Sequence, residues 1–233
     1  MTIGRPTDEA AQIDYLTEGA PTYLVKVPTQ KRARDTFNRI VAAAVDLLLE
    51  SGLACLNTNA VSERAGVNVA SVYSYFRNKE SILFFLAEFY ENSRVALVAA
   101  GADRMLSAPE WASALAEIID SLVVFRIEHP GCVVVRRAIE SLPDSPDFDG
   151  ASTQQAAEIL TRAFSQLSRS VSPGQLQKIA HFYTDTVTAT VDRAFSAEPH
   201  DSEAIEFLKE MSTAWLAIFL TSGTGPDLIH AQR

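Results

Sequence analysis

The residues best suited to chemistry lie between Asn57 and Glu80. Val69, Ala70 and Ser71 are small or hydrogen-bonding, and Tyr73 and Tyr75 follow with phenolic hydroxyls. A helix that reads base edges in the major groove needs this combination. Small groups at its N-terminal end let the backbone approach the bases, and flanking donors reach phosphate oxygens. Lys79 falls in the expected first turn of the next helix, where a lysine opposes the helix dipole unless an anion occupies that end. The competing reading is structural: Tyr73 beside Phe76 is simple packing, and the whole segment is a generic helical corner.

These residues need elements to hold them, and the periodicity along the chain is helical. Phe37, Ile40, Val41, Ala44, Val45 and Leu48 follow the i, i+3, i+4, i+7 template, predicting a helix over 29–51 that Gly52 can end in a left-handed cap. Asn57-Thr58-Asn59 precedes a short helix over 60–65 with Val61 and Ala65 inward, closed by Gly66. Asn68 can cap a third helix over 69–76, with Val72 and Phe76 on one side, and Asn78 a long fourth helix over 79–105. The second and third helices, joined by Ala65-Gly66-Val67-Asn68, make a helix-turn-helix. Further helices are expected at 109–128, 131–141, 152–170, 173–197 and 202–221, with Pro109 and Pro173 as first helical residues. Leu142 to Asp147 reads as a loop, and Gly223-Thr224-Gly225-Pro226 ends the last helix.

The net charge of −9 over 233 residues argues at first against a polyanionic partner. Its distribution reverses that. Residues 31–80 carry Lys31, Arg32, Arg34, Arg39, Arg64, Arg77 and Lys79 against Asp35, Asp46, Glu50, Glu63 and Glu80, a net +2, while residues 81–233 hold −9 and residues 1–30 hold −2. A mildly basic head on an acidic body fits a polyanion-binding segment joined to a part with another task. Cys55 and Cys132 do not make a disulfide framework or a zinc cluster. With no apolar run of the roughly 20 residues that span a bilayer and no signal-peptide pattern in Met1 to Ala20, the expectation is a cytoplasmic protein without membrane contact. The four histidines show no H-E-x-x-H spacing, no G-x-S-x-G elbow occurs, and Gly223-x-Gly225 follows a helix, so the reading is not an enzyme and no cofactor is expected.

With Val61, Ala65-Gly66-Val67, Ser71-Val72-Tyr73, Tyr75-Phe76 and Asn78-Lys79-Glu80 leading into Leu83, the chain resembles the DNA-binding head of the TetR family of bacterial transcriptional regulators over about residues 33–90. The resemblance implies phosphate contacts from Thr58, Tyr73, Tyr75 and Lys79 and base-edge contacts from Asn59, Val69, Ala70 and Ser71. Val69 stands where many members carry a polar or basic residue and Ala70 where glycine is frequent, which favours a thymine methyl over a bidentate bond to guanine. Ser62 replaces the usual alanine. Lys31, Arg32 and Arg34 can add backbone or minor-groove contacts, or simply form a solvated charge run.

The expected fold is therefore all-α, an N-terminal three-helix helix-turn-helix head followed by a helical ligand-binding and dimerisation bundle. Residues 1–28 are read as a flexible N-terminal extension, in which Tyr23-Leu24-Val25 could pair with another part of the chain, 29–80 as the DNA-binding domain and 81–233 as the ligand-binding and dimerisation domain. By the same resemblance the last two helices dimerise the chain, and they carry wide apolar stripes, Phe182, Tyr183 and Val187 on one and Met211, Trp215 and Phe219 on the other. Trp111, Phe125, Arg126, His129 and Tyr183 are the candidate lining of an effector pocket, with Arg126 or His129 as polar anchors, and their aromatic character suggests a hydrophobic or amphipathic small molecule. His129 beside Pro130 reads equally well as a helix C-terminal cap. The function implied is a ligand-responsive regulator, a repressor, binding a pseudo-palindromic double-stranded DNA operator as a homodimer. The alternative is a helical interaction module that has lost DNA binding.

Overall fold

The structure is a computed structural model that describes residues 15–16, 22–108, 110–168, 170–196 and 199–220. Among these residues the regular structure is all helical: α1 (Lys31–Ser51), α2 (Thr58–Ala65), α3 (Val69–Tyr73), α4 (Lys79–Ser107), α5 (Trp111–Glu128), α6 (Gly131–Glu140), α7 (Phe148–Leu167), α8 (Pro173–Ala194) and α9 (Ser202–Leu220), with a 3-10 turn at Leu53–Cys55. Pro109, the expected first residue of the fifth helix, and the Gly223–Pro226 terminator lie outside the described residues. None of the described helices is long and apolar enough to cross a membrane.

The helix boundaries follow from caps. Asn57 Oδ1 accepts from the Ala60 N–H at 2.9 Å, and Asn68 Oδ1 accepts from the Ala70 N–H at 2.8 Å. Asn78 and Ser81 cap α4 reciprocally: Asn78 Oδ1 accepts from the Ser81 N–H at 2.9 Å, and Ser81 Oγ accepts from the Asn78 N–H at 3.1 Å. Ser172 and Gln175 form a capping box on α8, whose first residue is Pro173. Gly52 ends α1 with φ 70 but ψ −177, so the positive φ is used without the left-handed helical geometry expected for that cap. The seventh helix starts earlier than its expected residue Ser152. Asp147 Oδ1 accepts from the Gly150 N–H at 2.8 Å and lets the helix begin at Phe148, directly after the stretch that turn chemistry marks as a loop.

The described residues fall into two compact units, one within 1–90 and 130–146 and the other within 91–129 and 147–233. In the first, α1, α2, α3 and the start of α4 close around Phe37, Ile40, Leu56, Val61, Val72, Phe76 and Leu83, all at most 1% exposed. The helix α6 packs on α1 in this unit, where the sequence reading ended the head at Glu80. Residues 22–28 also belong here, and Tyr23 and Val25 find partners within the stretch whose sequence suggests a flexible extension. Thr22 donates from its backbone N–H and from Oγ1 to the Glu88 carboxylate, at 3.3 and 3.0 Å, Tyr23 meets Phe84 edge-on at 5.3 Å, and the Val25 N–H bonds the Tyr75 carbonyl at 2.8 Å.

The second unit is a helical bundle whose core includes Met105, Leu115, Ile118, Ile119, Leu160, Phe164, Leu176 and Leu216. Here α4 and α5 approach so closely at Gly101 that an added Cβ would stand 2.1 Å from Ile118 Cγ1, which is the packing reason for a glycine inside a long helix. Ion pairs cross-link helices of this unit. Arg126 on α5 is ion-paired with Asp192 on α8, and Lys209 on α9 with Asp120 on α5.

Candidate nucleic-acid interface

The turn between α2 and α3 sets the geometry of the site. Gly66 adopts φ 64, ψ 40, and its N–H bonds the Glu63 carbonyl at 3.1 Å while the Val67 N–H bonds the Ser62 carbonyl at 3.0 Å, a helix end that needs the left-handed region. Nothing lies within 4 Å of a Cβ built at Gly66, so Gly66→Ala meets backbone strain alone. It is expected to lower the unfolding free energy by about 1–2 kcal/mol, measured by urea denaturation. Ser62, where the family carries alanine, is 8% exposed and donates to the Asn59 carbonyl at 2.8 Å, so its hydroxyl is satisfied within α2.

On this frame Val72 and Phe76, each 0% exposed, bury one side of α3 and its exit. The opposite side is open. Ala70 and Asn59 are exposed, and Thr58, Val69, Ser71 and Lys79 are half-buried. Tyr73 is 50% exposed, and its hydroxyl lies 3.0 Å from Thr58 Oγ1, either group able to donate. That exposed pair holds a phenol from α3 against the first residue of α2 and keeps lone pairs and one donor beyond the shared bond, chemistry suited to a phosphate oxygen. Tyr73 is thus on the surface and not in the core.

Tyr75 is placed differently from the expected phosphate contact. It is 8% exposed, its ring meets Phe37 edge-on at 5.3 Å, and its hydroxyl donates to the Ala33 carbonyl in the first turn of α1 at 3.2 Å. The reason lies at the helix end. The helix α3 stops at Tyr73, the Ser74 and Tyr75 N–H groups turn back to Ala70 and Val72, and the chain rotates Tyr75 inward beside Phe76. Tyr75 therefore ties the end of α3 to α1. Arg77, which the sequence reading did not select, is exposed two residues further on. Its basic side chain between Phe76 and Asn78 was the available signal. Lys31, Arg32 and Arg34 are also exposed, whereas Arg64 is paired with Glu50, Nη1 to Oε1 at 3.0 Å.

Of the five effector candidates, one lines a groove formed by described residues. A groove of about 390 Å³ in the second unit is lined by Leu97, Arg104, Glu117, Asp120, Ser121, Val124, Phe125 and Glu128, and of the five it includes Phe125. The Phe125 and His129 rings lie 4.6 Å apart. Burial holds the His129 imidazole below the ordinary histidine value, against the opposing pull of Glu128. Arg126 is 8% exposed and engaged by Asp192. Trp111 opens α5 and packs partly buried on the core. Tyr183 is 3% exposed, meets Phe164 edge-on at 6.4 Å, and its buried hydroxyl has no hydrogen-bond partner among the described residues.

Comparison with known proteins agrees with this geometry. Residues 40–84 match the family model described as "Bacterial regulatory proteins, tetR family", and residues 110–216 match "Tetracyclin repressor-like, C-terminal domain". The tetracycline repressor protein class A from transposon 1721 of Escherichia coli is 45% identical over 51 residues, 22% of this chain and 24% of that protein. The fatty acid metabolism regulator protein of Bacillus subtilis (strain 168) is 36% identical over 56 residues, 24% of this chain and 29% of that one. The match thus spans about a quarter of the length of these curated relatives. A TetR-family transcriptional regulator from Streptomyces coelicolor superimposes with a TM-score of 0.59 at 27% identity, covering 80% of this chain and 98% of that one.

Proposed function

We propose that this chain, which belongs to the TetR family of DNA-binding transcriptional regulators, is a cytoplasmic repressor that binds a pseudo-palindromic operator as a homodimer and responds to a small molecule. Members of the family are transcription factors and not enzymes. The observation that carries the reading is the Tyr73–Thr58 hydroxyl pair at 3.0 Å, half-exposed beside the open ends of α2 and α3. In the proposed assignment residues 29–80 hold the DNA contacts, with Thr58, Tyr73 and Lys79 on phosphates and Asn59, Val69, Ala70 and Ser71 on base edges, while residues 81–233 bind the effector and dimerise.

Support for the dimer comes from the last two helices. Phe182 on α8 is 60% exposed, and Phe207 and Met211 on α9 are 61% and 51% exposed, with Trp215 5.2 Å from Phe182. Their neighbours Tyr183, Leu208 and Ser212 are buried within the chain, so each stripe divides into an inward and an outward part. An outward aromatic patch is what a second copy covers. The effector is a hydrophobic or amphipathic molecule by the apolar setting of Tyr183 and the mixed lining of the Phe125 groove. Its binding favours an arrangement in which the two heads no longer match half-sites.

The test is a duplex recovered by in vitro selection from a random pool with the full-length protein. Wild type is expected to bind it with an affinity that falls steeply with salt. Lys79→Ala should weaken binding about tenfold or more on every sequence, since a hydrogen bond to a charged group is lost. Light scattering should give twice the chain mass, with Phe182→Glu/Met211→Glu reverting to a monomer that binds more weakly. Recovery of no duplex at low salt would overturn the DNA reading, and a monomeric wild type bound to a single half-site would overturn the dimer.

A further inference from the structure

The segment that precedes α1 is fastened to the first unit at three successive points. Thr22 is held at Glu88, Tyr23 at Phe84, and Val25 at the carbonyl of Tyr75. Read in that order, residues 22–25 descend along α4 from its third turn towards its N-terminal end, where Lys79 stands. The Val25 hydrogen bond then fixes the register of the next residue, Lys26, against the corner between α3 and α4. Lys26 is exposed, as is Arg77, which lies two residues beyond the Tyr75 carbonyl that Val25 holds. Pro28 is buried, and the chain enters α1 through the exposed Lys31 and Arg32. The strap therefore adds a positive charge to the end of the unit that already presents Tyr73 and Lys79, and it does so from outside the stretch matched by the family's head model, which begins at residue 40.

We infer that residues 22–28 are part of the nucleic-acid interface and that Lys26 contacts a backbone phosphate of duplex DNA flanking the half-site, in company with Arg77. The inference rests on the DNA-binding reading of the first unit. The physical argument concerns charge. A net +2 over residues 31–80 is small for a surface that must neutralise phosphates, and cations flanking the recognition helix add to its attraction for any sequence. A lysine suits this place because a flexible ammonium needs only proximity to a phosphate and not a bidentate geometry. The ordering of its backbone by the Val25–Tyr75 bond lowers the entropy lost on contact.

The experiment measures fluorescence anisotropy of the selected duplex and of a scrambled duplex of equal length, with sodium chloride varied from 50 to 200 mM. Each phosphate contact contributes about 0.9 to the slope of log affinity against log salt. Lys26→Gln is expected to reduce that slope by about 0.9 per head and to weaken both duplexes by a similar factor, with the melting temperature unchanged. Lys26→Arg should restore the slope. Val25→Pro, which removes the N–H that bonds Tyr75, should reproduce the Lys26→Gln slope. A wild-type slope in Lys26→Gln or in Val25→Pro, with the wild type binding normally, overturns the inference alone. Absence of binding by the wild type overturns it together with the reading on which it rests.

Discussion

Phe37→Ala is expected to lower the stability of the first unit by about 3–5 kcal/mol and to abolish sequence-specific DNA binding. The Phe37 ring is 0% exposed and touches aromatic rings from two directions along the chain: Tyr75 at 5.3 Å and Phe76 at 5.7 Å from the exit of α3, and Phe85 at 5.3 Å from α4. Phe76 and Phe85 also meet each other at 5.6 Å. Removing the ring opens a cavity whose walls are held by three helices and cannot collapse freely, so the cost sits at the upper end for a buried aromatic, with the edge-to-face pairs adding to the transfer term. Small domains are stable by only about 5–15 kcal/mol, so such a loss removes a large share of the margin. DNA binding follows because α3 is five residues long and has no stability of its own. Its orientation depends on the buried Val72 and on Phe76 and the Tyr75–Ala33 hydrogen bond, the last two of which converge on Phe37 or its helix. Urea unfolding followed by far-ultraviolet circular dichroism gives the loss, and anisotropy on the selected duplex gives the binding. A loss under about 1 kcal/mol would show that the aromatic cluster does not carry this core.

The head was legible from sequence because its signals are local. Asn57, Asn68 and Asn78 cap the helices they precede, and Gly66 supplies the positive φ, each within four residues of the group it serves. Other features were decided by residues far along the chain. Tyr75 has the composition of a surface contact, and its burial is set by Ala33 and Phe37, about forty positions away. Residues 22–28 read as a flexible extension because their partners, Tyr75, Phe84 and Glu88, lie fifty or more residues distant. The start of α7 was obscured by Pro143, Asp144 and Pro146, which mark a turn and mask Asp147 as the cap that ends it. The effector region was the least legible part. Phe182 and Tyr183 are adjacent in sequence, yet one is 60% and the other 3% exposed, and only the packing of α8 decides which faces solvent.

Arginine in the second unit gives the other large effect. The sequence suggests Arg126 or His129 as a polar anchor; Arg94, 6% exposed on α4, is a further networked cation of this unit. Its Nε donates to Glu91 Oε2 at 2.8 Å, Nη1 to Thr188 Oγ1 at 3.2 Å, and Nη2 to Thr153 Oγ1 at 3.1 Å and to Ser152 Oγ. Ser152 in turn donates to Glu91 Oε2 at 2.7 Å, and Asp149 Oδ1 stands 3.8 Å from Nη2. One guanidinium thereby joins α4, α7 and α8 within this unit. Arg94→Ala should cost about 3–5 kcal/mol, because it removes the cation paired with the Glu91 carboxylate at a 13% exposed position and leaves three hydroxyls short of a donor. Arg94→Lys should recover only part of this, since an ammonium keeps the charge without the planar fork that reaches both helices at once. The double variant Arg94→Met/Glu91→Leu discriminates the cause. If the cost in Arg94→Ala comes from an uncompensated buried charge, removing both charges together should return most of the stability. If the double variant is as unstable as Arg94→Ala, the network serves as the packing link among the three helices and its hydrogen bonds, not the charge balance, hold them.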